Sequence, residues 1–284
     1  MMKARHYRGL GVAAALACAA LAAPAVAGAP WPTPGAAGAQ GYRYEVLEHH
    51  AGGADGGTRM DFRLASDGKG GLVADIARVW ALHGGDWTPV TLDADCLARL
   101  HARPGEVAEL TLLPMTPESA HLGEAFMSTC APDEVFTPVT DILNISLIVT
   151  SGRFHAETLT RVGQTETIEG FSTRFDRGAM TMAEASDGGE VTLASLDDGE
   201  AGVEWKPSPS TLQLTRGTGA AQVNLDGGEH FAFHVTIDRR TGLLVGAKSI
   251  YDDVDFNASG PGMPAGPPVK LAIQREVSIV RTAE

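Results

Sequence analysis

The chain has 284 residues, 35 of them acidic and 22 lysine or arginine, for a formal charge of −13. A surface this acidic repels phosphate, which excludes nucleic acid and makes anionic lipid headgroups a poor match.

The first residues carry Lys3, Arg5 and Arg8 without an acid and run into an apolar stretch from Leu10 to Leu21. That stretch is about half the length needed to cross a bilayer as a helix. It ends at Pro24 and Ala25-Val26-Ala27, small residues where a signal peptidase reads, so residues 1–27 are expected to be a Sec-type signal peptide cleaved after Ala27. The competing reading makes Cys18 a lipid-bearing residue, but Ala15 stands where that signal needs leucine and Leu16 is misplaced by one. Cleavage removes three basic residues and no acid, which takes the charge from −13 to −16. No transmembrane segment is expected in the mature chain, and its expected place is the periplasm or the extracellular space.

Residues 28–41, rich in Pro, Gly and Ala, read as a flexible leader. A single β-rich domain is expected over 42–284. Tyr42, Tyr44 and Val46 alternate with Arg43 and Glu45, and Met60, Phe62 and Leu64 with Arg59, Asp61 and Arg63, each the pattern of a half-buried strand. A turn through Asp67-Gly68-Lys69-Gly70-Gly71 leads to Leu72, Ala74 and Ile76, which makes the first three strands a meander.

From about 93 to 137 the chain holds Cys96 and Cys130 and four prolines, and it reads as an irregular insertion with one strand near Val107–Leu113. In an oxidising compartment the two cysteines are expected to form a disulfide that pins this lobe. Thr137 to Gly152 carries the punctuation of a helix, although Ile145, Leu147 and Val149 also alternate.

Alternation returns after Gly163. Phe231, Phe233, Val235 and Ile237 share one face of a strand, and His230, Ala232, His234 and Thr236 the other. Turns are expected on both sides, at Asp226-Gly227-Gly228 and at Asp238-Arg239-Arg240-Thr241-Gly242. A last strand has Val269, Leu271, Ile273, Val277 and Ile279 in phase. The fold class is therefore mainly β: a large antiparallel curved sheet, half-barrel or sandwich, with at most one or two short helices. The stretch Thr160-Arg161-Val162-Gly163-Gln164-Thr165 and the hairpin at Thr241-Gly242 resemble recurring pieces of exported bacterial curved-sheet proteins of the LolA-like kind. The resemblance spans the C-terminal half. It implies a sheet wrapped around a helix, with an apolar concave face for a lipid or a hydrophobic segment, and it transfers no functional residue.

No motif specifies a chemistry. There is no HExxH, P-loop or dinucleotide fingerprint, and Ser172 lacks the second glycine of a nucleophile elbow. His230 and His234 share a strand face but stand about 13 Å apart, too far to chelate one ion without partners from neighbouring strands. The nearest such partners are Asp252, Asp253 and Asp255, whose run also reads as a charged sheet edge that discourages aggregation. His49 and His50 read as exposed turn residues. Trp80, Trp87 and Trp205 suit either a core or a sugar-stacking platform.

The leading expectation is a non-enzymatic binding or carrier protein without a cofactor or metal, whose partner is a lipid, a lipoprotein or another envelope component. The alternative is a secreted hydrolase or lyase acting on a polysaccharide or peptide, with His230, His234 and Asp253 as its catalytic candidates.

Overall fold

The structure, a computed structural model, describes residues 39–51, 53, 55–66, 72–90, 98–102, 109–112, 159–177, 180–241 and 243–282. Thirteen strands run through it: β1 (Gln40–His50), β2 (Gly56–Ser66), β3 (Leu72–His83), β4 (Asp86–Val90), β5 (Ala98–Ala102), β6 (Glu109–Leu112), β7 (Thr165–Arg177), β8 (Met180–Leu196), β9 (Glu200–Pro207), β10 (Ser210–Arg216), β11 (Val223–Asp238), β12 (Leu244–Ser259) and β13 (Val269–Arg281). All join one curved antiparallel sheet, a single continuous layer rather than two separate sheets. The helical content of the described residues is one 3-10 turn at Gly219–Ala221, and no helix among them is long and apolar enough to cross a membrane.

Two pairs of strands share a lane. β9 and β10 both lie between β8 and β11 and run the same way, one interrupted strand broken at Ser208 between Pro207 and Pro209. Proline offers no N–H to a ladder, which explains the break. β4 and β5 likewise pair with successive stretches of β3. The thirteen strands thus fill eleven lanes, with β1 paired to β13 in the middle and β6 and β7 at the two ends.

One face is apolar across the sheet. Tyr42, Tyr44, Val46, Met60, Phe62, Val79, Val254, Phe256, Val277 and Ile279 are all buried. Tyr42 stacks on Phe62 at 5.4 Å and donates its hydroxyl proton to the Leu244 carbonyl at 2.5 Å, which ties the central seam to β12. The other face is charged: Arg43 and Arg78 share the Asp61 carboxylate, and Arg59 binds Glu45 while lying 4.2 Å above the Trp87 ring.

A crease crosses the C-terminal half, where strands change which parity faces the core. In β8 the buried residues are Glu184 and Ser186 and then Val191 and Leu193, with the switch at Gly188, whose φ is +106°. The shared lane switches from Ala201 and Val203 to Ser210, Leu212 and Leu214 across Ser208, whose N–H reaches the Gly188 carbonyl at 2.6 Å. β12 switches from Ala247 to Asp252, Val254 and Phe256 across a bulge at Ile250. β11 between them keeps one parity. The three switches fall on one transverse line, and the bulge in β12 bends its strand there and increases the local twist.

The chain departs from expectation in several places. Asp226-Gly227-Gly228 lies inside β11 and is not a turn. A Cβ on Gly227 would stand 1.9 Å from the Asp255 carbonyl oxygen, and one on Gly228 would stand 2.0 Å from that of Ser210, so these glycines serve close strand packing. The stretch expected to be irregular contributes two strands, β5 as well as β6. Asp252, Asp253 and Asp255 belong to a central strand, because β12 lies between β11 and β13, which rules out the sheet-edge reading. Cys96, Cys130 and the expected helix at 137–152 lie outside the described residues.

Candidate functional site

A groove of about 750 Å³ crosses β10, β11, β12, β13 and the end of β1. Strand register builds it. His49, Gln274, Asp253 and His230 follow one another across four strands as Cα partners, and Ala272 and Asp255 pair in a parallel row two residues away, with Gly228 opposite Asp255. Alternation puts both rows on the polar face, with the backbone of His50, Ile273, Val254, Glu229 and Ser210 as the floor. The small residues Ala51, Ala272 and Gly228 leave the space open.

Polar contacts fix the rim. Gln274 donates to Asp253 at 3.3 Å, and the His230 ring lies 4.6 Å from that of Tyr251. His49 Nδ1 is 3.3 Å from Asp55 and its Nε2 is 3.6 Å from Glu276. His50 Nε2 sits 3.6 Å from Glu48, whose carboxylate raises the imidazole above its ordinary pKa. No lysine or arginine among the described residues lines the groove. Among the described residues no group of three His, Cys, Asp or Glu is placed to hold a metal ion.

Of the three residues named from sequence, the fold unites two. His230 and Asp253 are direct cross-strand partners. His234 lies beyond the crease, opposite Lys248 and Glu204, with its Cε1 3.1 Å from where a Cβ on Gly202 would be, and it does not line the groove. His49 and His50 end a strand and line the groove, so the exposed-turn reading fails. The tryptophans form no common platform: Trp80 and Trp87 lie under arginines on the charged face, whereas Trp205 packs on Phe231 at 5.1 Å at the crease.

On the apolar face, beneath the groove, lies a belt of buried polar groups that sequence reading missed. Arg275 on β13, Glu229 on β11 and Asp252 on β12 are all buried. Arg275 Nη1 lies 3.0 Å from the Glu229 carboxylate and 3.4 Å from that of Asp252, and Glu48 on β1 is the register partner of Arg275. The belt continues to Ser210 on β10 and to Ser186 and Glu184 on β8. Ser186 Oγ reaches the carbonyls of Gly188 and Ser208 and so ties the two sides of the crease. The signal was present in the sequence, since Arg275 is in phase with Ile273 and Val277, and Glu229 with Phe231.

No protein-family model and no curated protein matches the chain. Among solved structures, one reported as "Lipid-protein interactions in lipovitellin" superposes with a TM-score of 0.37 at 10% identity, covering 86% of this chain and 25% of the other. The chain thus spans about a quarter of the length of that structure.

Proposed function

We propose that the protein is exported, loses residues 1–27 as a signal peptide and serves in the periplasm or outside the cell as a non-enzymatic carrier for a lipid, a lipoprotein segment or another hydrophobic envelope component. The observation that supports this reading is the sheet itself: eleven lanes in one curved layer, with one face apolar from β8 to β3 on either side of the buried polar belt. A broad apolar face that curves is the shape an acyl chain or an apolar peptide segment requires. The LolA-like resemblance of 160–165 and of the Thr241 hairpin points the same way. The test is native mass spectrometry of the mature protein, purified without detergent, followed by solvent extraction. A co-purifying apolar molecule is expected; a clean apo mass that takes up no added lipid would overturn the reading.

A second reading, a hydrolase or lyase acting on a polysaccharide or peptide, has one specific observation in its favour: His230 faces Asp253 in a polar groove. It predicts turnover of a glycan or peptide library that His230→Ala and Asp253→Ala abolish. A library left intact by the wild type would remove it.

A further inference from the structure

Glu184 is 7% exposed, and its Oε2 has no hydrogen-bond partner among the described residues. Leu212 on β10 and Thr173 on β7 are its register partners. Its other carboxyl oxygen shares a hydrogen bond with Ser210, whose Oγ also reaches the Glu229 carbonyl at 3.4 Å. A serine hydroxyl has one proton to donate. With Glu184 protonated, the chain is complete: the carboxylic acid donates to Ser210, and Ser210 donates to the Glu229 carbonyl. With Glu184 ionised, the Ser210 proton serves either the carboxylate or the carbonyl and not both.

We propose that Glu184 is a proton-operated latch on the crease: protonated, it joins β8, β10 and β11, and ionised, it loosens them. The setting fits a hinge, because Ser208 and Gly188 meet there and Ser186 bridges both. Ionisation buries a charge that has no cation beside it among the described residues, which is costly in an apolar layer. Glu229 is already paired with Arg275, which also meets Asp252, while Glu169 and Arg177 on β7 and Arg216 on β10 occupy register positions four residues from those opposite Glu184. Burial, opposed by the Ser210 hydroxyl, pushes the carboxyl up to about 7, which places the switch near neutral pH. The inference goes beyond the carrier reading and does not depend on it.

The sign follows from linkage. A carboxyl whose pKa is higher in the folded state contributes stability that is fully present below the ordinary carboxyl value and is lost as pH rises toward 7. Amide hydrogen exchange, corrected for its intrinsic pH dependence, measures the local effect. In the wild type, protection in Met180–Ser186 and Ser210–Arg216 is expected to fall by a total on the order of a hundredfold between pH 5 and pH 8, while the β1–β2 ladder keeps its protection. In Glu184→Gln that loss is expected to disappear. Equal protection of the β8–β10 ladder at both pH values, or an unchanged pH dependence in Glu184→Gln, would overturn the proposal. Should that variant not fold, the wild-type carboxyl carbon resonance of Glu184 decides the matter: titration near 7 supports the latch, and titration in the ordinary carboxylate range overturns it.

Discussion

The guanidinium of Arg275 meets the Glu229 carboxylate at 3.0 Å although an entire strand, β12, separates their backbones. The contact passes over Asp252, which takes the same nitrogen at 3.4 Å, so one buried cation serves two buried acids. Removing one partner of a buried ion pair leaves its charge unpaired, which costs about 3–5 kcal/mol, more than most surface pairs contribute. Arg275→Met is therefore expected to lower stability by about that amount in urea titration at pH 7. Adding Glu229→Gln and Asp252→Asn should recover part of the loss, and full additivity of the three changes would show that the groups do not act together.

Gly228→Ala should destabilise through backbone crowding. The added methyl would stand 2.0 Å from the Ser210 carbonyl oxygen and must push β10 away from β11, at about 1–3 kcal/mol or more. Gly199→Ala meets only Asp197 Oδ1 at 3.6 Å and should change stability by less than about 0.5 kcal/mol. Thermal melts of the two variants, side by side, check the contrast.

His50 should titrate above its ordinary value because Glu48 holds its imidazolium. The stability it contributes is present below the ordinary histidine range and is lost as pH rises through the raised folded value. Glu48→Gln is expected to return the His50 resonance to the ordinary range in an NMR titration, and an unmoved midpoint would reject Glu48 as the cause.

Asp197 closes the turn between β8 and β9 by accepting the N–H groups of Gly199 and Glu200, each at 2.7 Å. Those two bonds hold its carboxyl below the usual range, so the turn should stay closed at neutral pH and loosen as the carboxyl protonates in acid. Asp197→Ala should speed amide exchange at Gly199 and Glu200 and leave β11 unaffected. Exchange that is unchanged at both amides would count against the turn.

Much of the sheet was legible because alternation is a local signal. Tyr42-Tyr44-Val46 and Phe231-Phe233-Val235-Ile237 lie in strands with the parity their sequence shows. The groove was not legible, for a reason visible in β11 and β12. A regular ladder continued from the Ile237–Leu244 pair would place His230 opposite Tyr251. Bulges in β12 after Ile237 and after Phe233 each slip the register by one, so His230 meets Asp253 instead. A bulge lacks a sequence signature as clear as alternation, and each one redirects every pairing beyond it. The belt was legible in principle, because Arg275 and Glu229 break an otherwise apolar parity, but which of them meet depends on the crease.

The pairing of β1 with β13 also sets an order of events for the folding chain. The Thr282 N–H still bonds the Gly41 carbonyl at 2.9 Å, so the two strands form the seam between two wings of the sheet. Each wing is assembled largely from neighbours in sequence, whereas the seam needs residues more than 200 positions apart. Contacts of such separation form late and slowly. During synthesis the wings would each have an open edge until β13 arrives, and β13 is the strand that makes them one body.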